Sequence, residues 1–398
     1  MNEAGASPRR CTIMLVVGEP SGDQLGAQLM AGLKKLAGDR LQIVGVGGEA
    51  MTKEGLKSLF PLDATSVMGL REVVPRIPAI LRRVRQATDF ARTTHPDLVV
   101  LIDSPDFTHR IAQALKRIDP SIRTANYPPP QVWASRSYRA RKMARYMDAV
   151  LTMFPFEAAF FERYGIAAYS VGYPVIERAG RMTGGADFRK RHGIPSDAPL
   201  LAVLPGSRRS EIRFILPPFK EATRILAREI PGLISVLPTV RHVAPLVREA
   251  VKDWPTPVYV VETDDEKFAA FDAADAALAA SGTVTSELAL ARTPMVVGYR
   301  VGWLTFALVR HLMHTPHITL INLVLNRRAV PEFIQDQCTG DVLARALKPL
   351  FTDDSVRTQQ LRDLEEAVRA FGGGQEPPSL RAARAVLALA ESGPARND

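Results

Sequence analysis

Short apolar runs alternate with amphipathic stretches along most of the chain. Apolar runs lie at residues 12–17, 43–46, 98–102 and 149–153. Between them, segments such as GAQLMAGLKKLA and FTHRIAQALKRI space their apolar residues at helical intervals. Strand, helix, strand in this order predicts a parallel, doubly wound α/β sheet. A second series begins after residue 193, with strands predicted at 200–204, 233–237, 258–261, 276–280 and 295–299. The stretch ERAGRMTGGADFRKRHG, residues 177–193, is polar, carries glycine and lacks apolar periodicity, so it reads as a linker. The pattern predicts one doubly wound α/β domain over 1–176 and another over 194–371. After the break GGGQEPP comes a final amphipathic helix, and segment 372–398 is expected to return to the N-terminal domain.

Composition changes this picture little. Hydrophobic residues make up 46% and charged residues 23%, enough for a sizeable core without staples. The two cysteines, Cys11 and Cys338, form no CxxC pair, so a disulfide framework is excluded and a reducing cytoplasm is the expected setting. PRRCTIMLVV near the start ends in Gly18-Glu19 without a small-residue cleavage site, and reads as the first strand rather than a signal peptide. No run reaches the ~18 apolar residues of a membrane span. The formal charge of +9 admits a nucleotide, an anionic lipid surface or nucleic acid, and selects none of them.

The candidate chemistry lies where predicted strands end, because ligands of open α/β sheets collect beyond the carboxyl ends of the strands. VVLIDSPDF runs from a buried strand into Asp103 and Asp106, either of which can face a site or cap the next helix. Asp103 is read as functional, whereas Asp106, just before FTHRIAQALKRI, suits a cap. VVGEPSGDQLG is a strand-to-helix turn whose backbone N–H groups can hold an anion or sugar hydroxyls, with Ser21 or Asp23 as the alternative cap. LLAVLPGSRRSEI brings Ser207 and Arg208 to a strand end, and a guanidinium fork suits phosphate. ALAASGTVTSELALA repeats the device with Ser281, Gly282 and Thr283, and places Glu287 for a ribose.

Other motifs carry less. His311, His314 and His317 lack a neighbouring acid and Pro316 interrupts their helix, so no metal site is expected. TDDE at 263–266 reads either as a Mg²⁺ ligand set or as a polar loop. No GxSxG is present to support a serine triad. VMGLREVVPRIPAILRRVRQ, residues 67–86, joins an apolar face to Arg76, Arg82, Arg83 and Arg85, which fits either an anionic bilayer or an ordinary surface helix.

Taken in order, GEPSGD, GVGGEAM, SVMGLREVV, PDLVVLIDSPDF, QVWASR, FPFE, LPGSR, ASGTVTSELAL, TPMVVGYR and INLVLNRRAVPEFIQ resemble the lipid-A-disaccharide synthase family. These blocks run from Gly18 to about Gln335. The resemblance implies a GT-B architecture: two Rossmann-like domains facing a cleft. It implies an inverting glycosyltransferase of lipid A biosynthesis, with no cofactor and no metal. The donor would be UDP-2,3-diacylglucosamine and the acceptor 2,3-diacylglucosamine 1-phosphate. The products would be a β-1,6-linked tetra-acyl disaccharide 1-phosphate and UDP. By the same resemblance Asp103 and Arg208 are the catalytic candidates, and Ser207, Ser281, Gly282, Thr283, Glu287, Asn322, Arg327, Glu332 and Gln335 join Arg208 on the donor side. Glu19, Ser21, Gly22, Asp23 and Asp106 are expected on the acceptor side, and Val67, Met68, Arg82 and Arg83 toward the membrane. The implied setting is the cytoplasmic face of the inner membrane, peripherally bound, without nucleic acid and with a homodimer admitted.

The sequence departs from the family pattern at Asn126, Ser135, Tyr173, Ile321 and Asn326. Two alternatives therefore stand beside the synthase: a paralogous GT-B enzyme acting on a different UDP-sugar or acyl-sugar acceptor, and a non-catalytic UDP-sugar-binding relative.

Overall fold

The structure is a computed structural model, and it describes residues 11–62, 77–132, 138–302, 306 and 317–392. The chain divides into two compact units: residues up to Pro174 together with those from Glu376 onward, and Val175–Gln375.

The strands of the first unit are β1 (Cys11–Val17), β2 (Leu41–Val46), β3 (Leu98–Ile102), β4 (Thr124–Tyr127), β5 (Ala149–Thr152) and β6 (Ala167–Ser170). They pair in parallel in the order β2-β1-β3-β4-β5-β6. β3, LVVLI, is buried at every position, as a strand covered by helices on both faces must be. Core side chains lie on both faces of this sheet, around Val99 and Leu101 on one and Val100 and Ile102 on the other.

The second unit holds β7 (Leu200–Leu204), β8 (Ile234–Pro238), β9 (Val258–Val261), β10 (Ala276–Ala279), β11 (Met295–Tyr299) and β12 (Glu332–Ile334). Their parallel order is β12-β11-β10-β7-β8-β9, the Rossmann arrangement. Each sheet has one place where the strand order reverses, between β1 and β3 in the first and between β7 and β10 in the second. Such reversals splay the crossing connections apart and leave room for a ligand beyond the strand ends.

The segment read as a linker is instead built into the second unit. It forms a 3₁₀ stretch, Pro174–Arg181, and a helix, Gly185–Arg191. One aromatic side chain anchors it: Phe188 is fully buried. Arg189 then ties it down, donating to the Ala198 and Ala273 carbonyls at 2.8 Å each and to Asp275 at 3.1 Å. A single buried ring and one arginine leave no apolar period to detect.

The last helix, Pro378–Glu391, packs on the helix Pro20–Ala37 and beside β1 and β3. Val386 and Leu389 are buried there, each worth roughly 1.5–3 kcal/mol relative to exposure. Arg381 Nη2 adds a 2.7 Å bond to the Ser170 carbonyl.

Candidate active site

In the first unit, Val17 of β1 is paired with Ile102 of β3, so the chain leaves both strands side by side. One strand leads through Gly18 and Glu19 into the helix Pro20–Ala37, the other through Asp103 and Ser104 into Pro105–Ile118. Proline opens both helices, where its missing N–H costs nothing. Asp103 and Ser104 both have left-handed backbones, with φ of 58° and 42°. Such conformations cost non-glycine residues of order 1–3 kcal/mol each and persist only where the surroundings hold them. Here Thr108 Oγ1 donates to the Asp103 carbonyl at 2.8 Å, and the Ser104 N–H donates to Asp103 Oδ1 at 2.8 Å. Ser21 Oγ donates to Asp103 Oδ2 at 2.5 Å. An ionised carboxylate has about four lone-pair sites, so two bonds fix it and leave it able to accept a proton.

Gly22 makes this approach possible. A Cβ there would lie 2.9 Å from Asp103 Cβ and 3.0 Å from Val17 Cγ1. Glu19 is half-buried beside the same group. Burial holds its carboxyl above the usual range, the Asp103 carboxylate pushes the same way and Asp106 adds to it, while a hydrogen bond with Ser104 acts in opposition. Glu19, Ser21, Gly22 and Asp103 thus meet at the point where the strand order reverses.

Two sequence expectations change here. Asp106 is exposed and occupies the first turn; the N-cap position is Ser104. Its charge therefore acts on the helix dipole and not as a cap. Asp23 is buried and does not cap its own helix, whose N-cap position is Glu19. Its carboxylate accepts N–H bonds from Gly48 and Ala50 at 2.7 Å each and from Met51 at 3.2 Å, closing the amino end of the helix Glu49–Lys53.

In the second unit, Ala279 of β10 is paired with Leu204 of β7, so the turns bearing Arg208 and Ser281–Thr283 leave neighbouring strands. The amino end of the helix Arg209–Glu229 is already filled. Glu211, 7% exposed, accepts N–H bonds from Ser207 at 2.8 Å and Arg208 at 3.1 Å, and Arg208 Nη1 donates to it at 2.9 Å. Gly206 is required beside it, since φ is 108° and a Cβ would meet Glu211 Oε2 at 2.3 Å. Burial, and then Glu211, raise the Tyr299 phenol, whose hydroxyl faces Glu211 at 3.5 Å. Sequence reasoning missed Glu211; the only signal was an acid three residues after Arg208 at a helix start.

The helix Thr283–Leu290 differs. Among the described residues no side chain caps its amino end, and Gly282 and Thr283 are exposed. Ser281 Oγ donates to the Ile318 carbonyl at 2.8 Å. The backbone N–H groups open here are suited to an anion, and Arg208, with a side chain 63% exposed, follows the adjacent strand. Glu287 is 3% exposed and holds Arg178 and Lys267, the latter at 3.4 Å.

The remaining donor-side candidates all make contacts within the second unit. Asn322 is fully buried and spends both halves of its amide on Val330, at 2.8 and 2.9 Å. Arg327 turns to the helix Asp354–Ala370, reaching Asp363 at 2.9 Å and Glu366. Glu332 accepts from Thr319 N and Oγ1 at 2.7 and 2.5 Å, fixing the start of the helix Leu320–Leu325. Gln335 clips the backbone of Val301, accepting at 2.7 Å and donating at 3.2 Å. Asn322, Glu332 and Gln335 thus satisfy backbone groups, a use that sequence alone does not distinguish from ligand contact.

Val67, Met68, Arg76, Ser135, His311 and His314 lie outside the described residues. His317 Nδ1 stands 3.7 Å from Glu332. TDDE starts the helix Asp264–Ala273, with Thr263 accepting the Glu266 N–H at 3.3 Å. Arg82 is exposed on the helix Ile77–Thr94, whereas Arg83 lies over the Phe60 ring, 4.7 Å from its centroid, and donates to Gln86. Arg83 is therefore largely committed to its own unit. No helix of the described residues is long and apolar enough to cross a membrane. Of the departures, Asn326 sits at φ 50° as the C-cap of Leu320–Leu325, a left-handed position that asparagine tolerates almost as glycine does. Tyr173 is buried against Phe154 and Ile321 is fully buried.

The family model described as Lipid-A-disaccharide synthetase matches residues 13–377. The lipid-A-disaccharide synthase of Rhodospirillum centenum is 45% identical over 94% of both chains. That of Paramagnetospirillum magneticum is 46% identical over 96% of this chain and 98% of its own. Among solved structures, MurG of Acinetobacter baumannii shares the fold, with a TM-score of 0.58 at 15% identity over 95% of this chain and 99% of that one. Two parallel Rossmann-like sheets and a family match across nearly the whole length agree: the chain belongs to the lipid-A-disaccharide synthase family, enzymes of glycosyl transfer with the GT-B fold.

Proposed function

We propose that this enzyme transfers 2,3-diacylglucosamine from its UDP derivative to the 6-hydroxyl of 2,3-diacylglucosamine 1-phosphate. The observation that carries the reading is Asp103: a carboxylate at the end of a buried strand, on a backbone held in an unfavourable conformation, oriented by Ser21 and Ser104. Strain of this kind at a strand end, within a family of glycosyl transfer, fits a positioned general base. Asp103 takes the proton of the acceptor hydroxyl as its oxygen bonds to C1 of the donor sugar. The bond from C1 to the diphosphate breaks on the opposite face, which inverts the configuration, and the electron pair leaves with UDP. Arg208 and the open amino end of Thr283–Leu290 stabilise the charge that develops on the departing diphosphate. Glu287 serves the ribose, whose hydroxyls would take the place of Lys267 on its carboxylate. Glu19 and Ser21 orient the acceptor hydroxyl beside Asp103.

The lipid chains of both substrates require work at a membrane surface. Exposed Arg82, next to Leu81 with 48% exposure, supports peripheral docking of the helix Ile77–Thr94 on an anionic leaflet. Incubation with both acyl-sugars followed by mass analysis of the lipid tests the activity. The expected product is the tetra-acyl disaccharide 1-phosphate with one UDP per molecule. Recovery of unreacted substrates under conditions where a related synthase turns over would reject the reading.

A further inference from the structure

A pocket of about 300 Å³ opens in the first unit between the helices Pro105–Ile118 and Tyr138–Met143. Its lining includes Asp106, His109 and Arg110 from the first helix, and Arg139 and Lys142 from the second, with Tyr146 just beyond. Asp106 and Arg139 lie in the first turns of their helices. Asp106 follows Asp103 by three residues, in the first turn of the helix that the Asp103 turn leads into, so the pocket opens beside that turn.

The floor is neutral and fixed. Asn126 donates through Nδ2 to the Leu101 carbonyl at 2.8 Å, which turns its Oδ1 toward His109 at 3.0 Å. His109 Nε2 must therefore carry the proton, leaving Nδ1 to accept from the Tyr146 hydroxyl at 3.3 Å. Burial also pushes the imidazole below its ordinary range. The charge of the pocket thus comes from its rim, where three cations face one carboxylate. Arg110 commits only Nε, to the Asp106 carbonyl at 2.8 Å. Arg139 and Lys142 have no ion-pair partner among the described residues. A phosphomonoester carries close to two negative charges at neutral pH and three acceptor oxygens, and matches such a rim better than a singly charged diester.

We propose that Arg110, Arg139 and Lys142 bind the phosphate of a phosphorylated acyl-sugar acceptor, so that the phosphate anchors the ring while its free primary hydroxyl reaches Asp103. The proposal rests on the transferase reading above. It explains how a site can tell the phosphorylated monosaccharide from the same sugar without its phosphate.

The test compares wild type with Arg139→Gln, Lys142→Gln and the double variant. Three readouts are taken: acceptor KM and kcat, UDP affinity by calorimetry, and co-sedimentation with phosphatidylglycerol–phosphatidylethanolamine vesicles. Diacylglucosamine with and without the 1-phosphate is also bound directly in detergent. Each variant should raise the acceptor KM roughly tenfold, as loss of a charge-assisted contact does, with kcat and UDP affinity little changed. The double variant should lose the preference for the phosphorylated sugar, and Arg139→Lys should restore part of it. Unchanged KM in folded variants would overturn the proposal. So would a loss of vesicle binding with acceptor discrimination intact, which would make the pocket a lipid-headgroup site. A wild type that forms disaccharide equally from both sugars loses the pocket and keeps the transferase. One that forms none, yet binds the phosphorylated sugar selectively, keeps the pocket and loses the transferase.

Discussion

Gly22→Ala tests how finely the acceptor site is set. The added methyl would sit 2.9 Å from Asp103 Cβ, 3.0 Å from Val17 Cγ1 and 3.4 Å from the Ile102 carbonyl. To reach ordinary contact, the helix Pro20–Ala37 and the Asp103 turn must separate by about half an ångström. Overpacking of this kind costs about 1–3 kcal/mol, and the better helix propensity of alanine returns ~1 kcal/mol. The net loss of ~0–2 kcal/mol corresponds to a drop in Tm of at most about 8 °C for a unit of this size. The effect on turnover should be larger in proportion. The 2.5 Å bond from Ser21 to Asp103 spans the interface that opens. Misplacement of a catalytic group by 1 Å can cost ~10²-fold, so half of that predicts a fall in kcat of roughly tenfold. Calorimetry with UDP should show no change, because the donor groups lie in the second unit. The assays are thermal unfolding, disaccharide formation and UDP titration on one preparation. A folded Gly22→Ala enzyme with wild-type kcat would show that the spacing between Gly22 and Asp103 does not govern the base.

Three further outcomes follow from the same geometry. Arg208→Ala should weaken UDP binding by roughly tenfold, the lower end for a charge-assisted contact because the side chain is exposed; equal titration curves would remove it from the donor site. Glu19→Gln should gain stability relative to wild type as pH rises. The folded pKa lies above the ordinary 4.5, so the unfolded chain ionises first and wild type loses stability from about that pH upward, whereas glutamine does not titrate. Denaturant midpoints at pH 4 and pH 7 that differ equally for both proteins would contradict this. Arg82→Glu should reduce co-sedimentation with anionic vesicles at low salt, and unchanged binding would exclude the helix Ile77–Thr94 as the docking surface.

The strands that carry the site were legible because they are buried on both faces and rich in branched apolar residues, as in LVVLI and LLAVL. Three others were not. β4 is TANY, β6 is AAYS and β12 is EFI, too short or too polar to stand out. In β4 Thr124 and Asn126 are buried because both find partners: Thr124 Oγ1 donates to the Tyr146 carbonyl at 2.7 Å, and Asn126 bridges Leu101 and His109. Those partners come from other strands and helices, so no local pattern announces them. The same reason hid the role of Asp23, whose helix begins 26 residues later, and the occupation of one helix start by Glu211. Asp103 and Arg208 stand out as candidates because an acid directly after one buried strand, and a guanidinium four residues after another, break the apolar pattern at the end where ligands of such sheets collect.

Asp103→Asn tests directly whether Asp103 is the general base. Asparagine is nearly isosteric and tolerates the left-handed backbone at this position, so the fold and the Ser21 contact can persist while the base is removed. A positioned general base typically contributes ~10²–10⁴-fold. Single-turnover disaccharide formation should therefore fall by roughly 10²-fold or more, with UDP affinity and thermal unfolding close to wild type. Near-normal turnover in a folded Asp103→Asn enzyme would contradict the account and move the base to another group of the site.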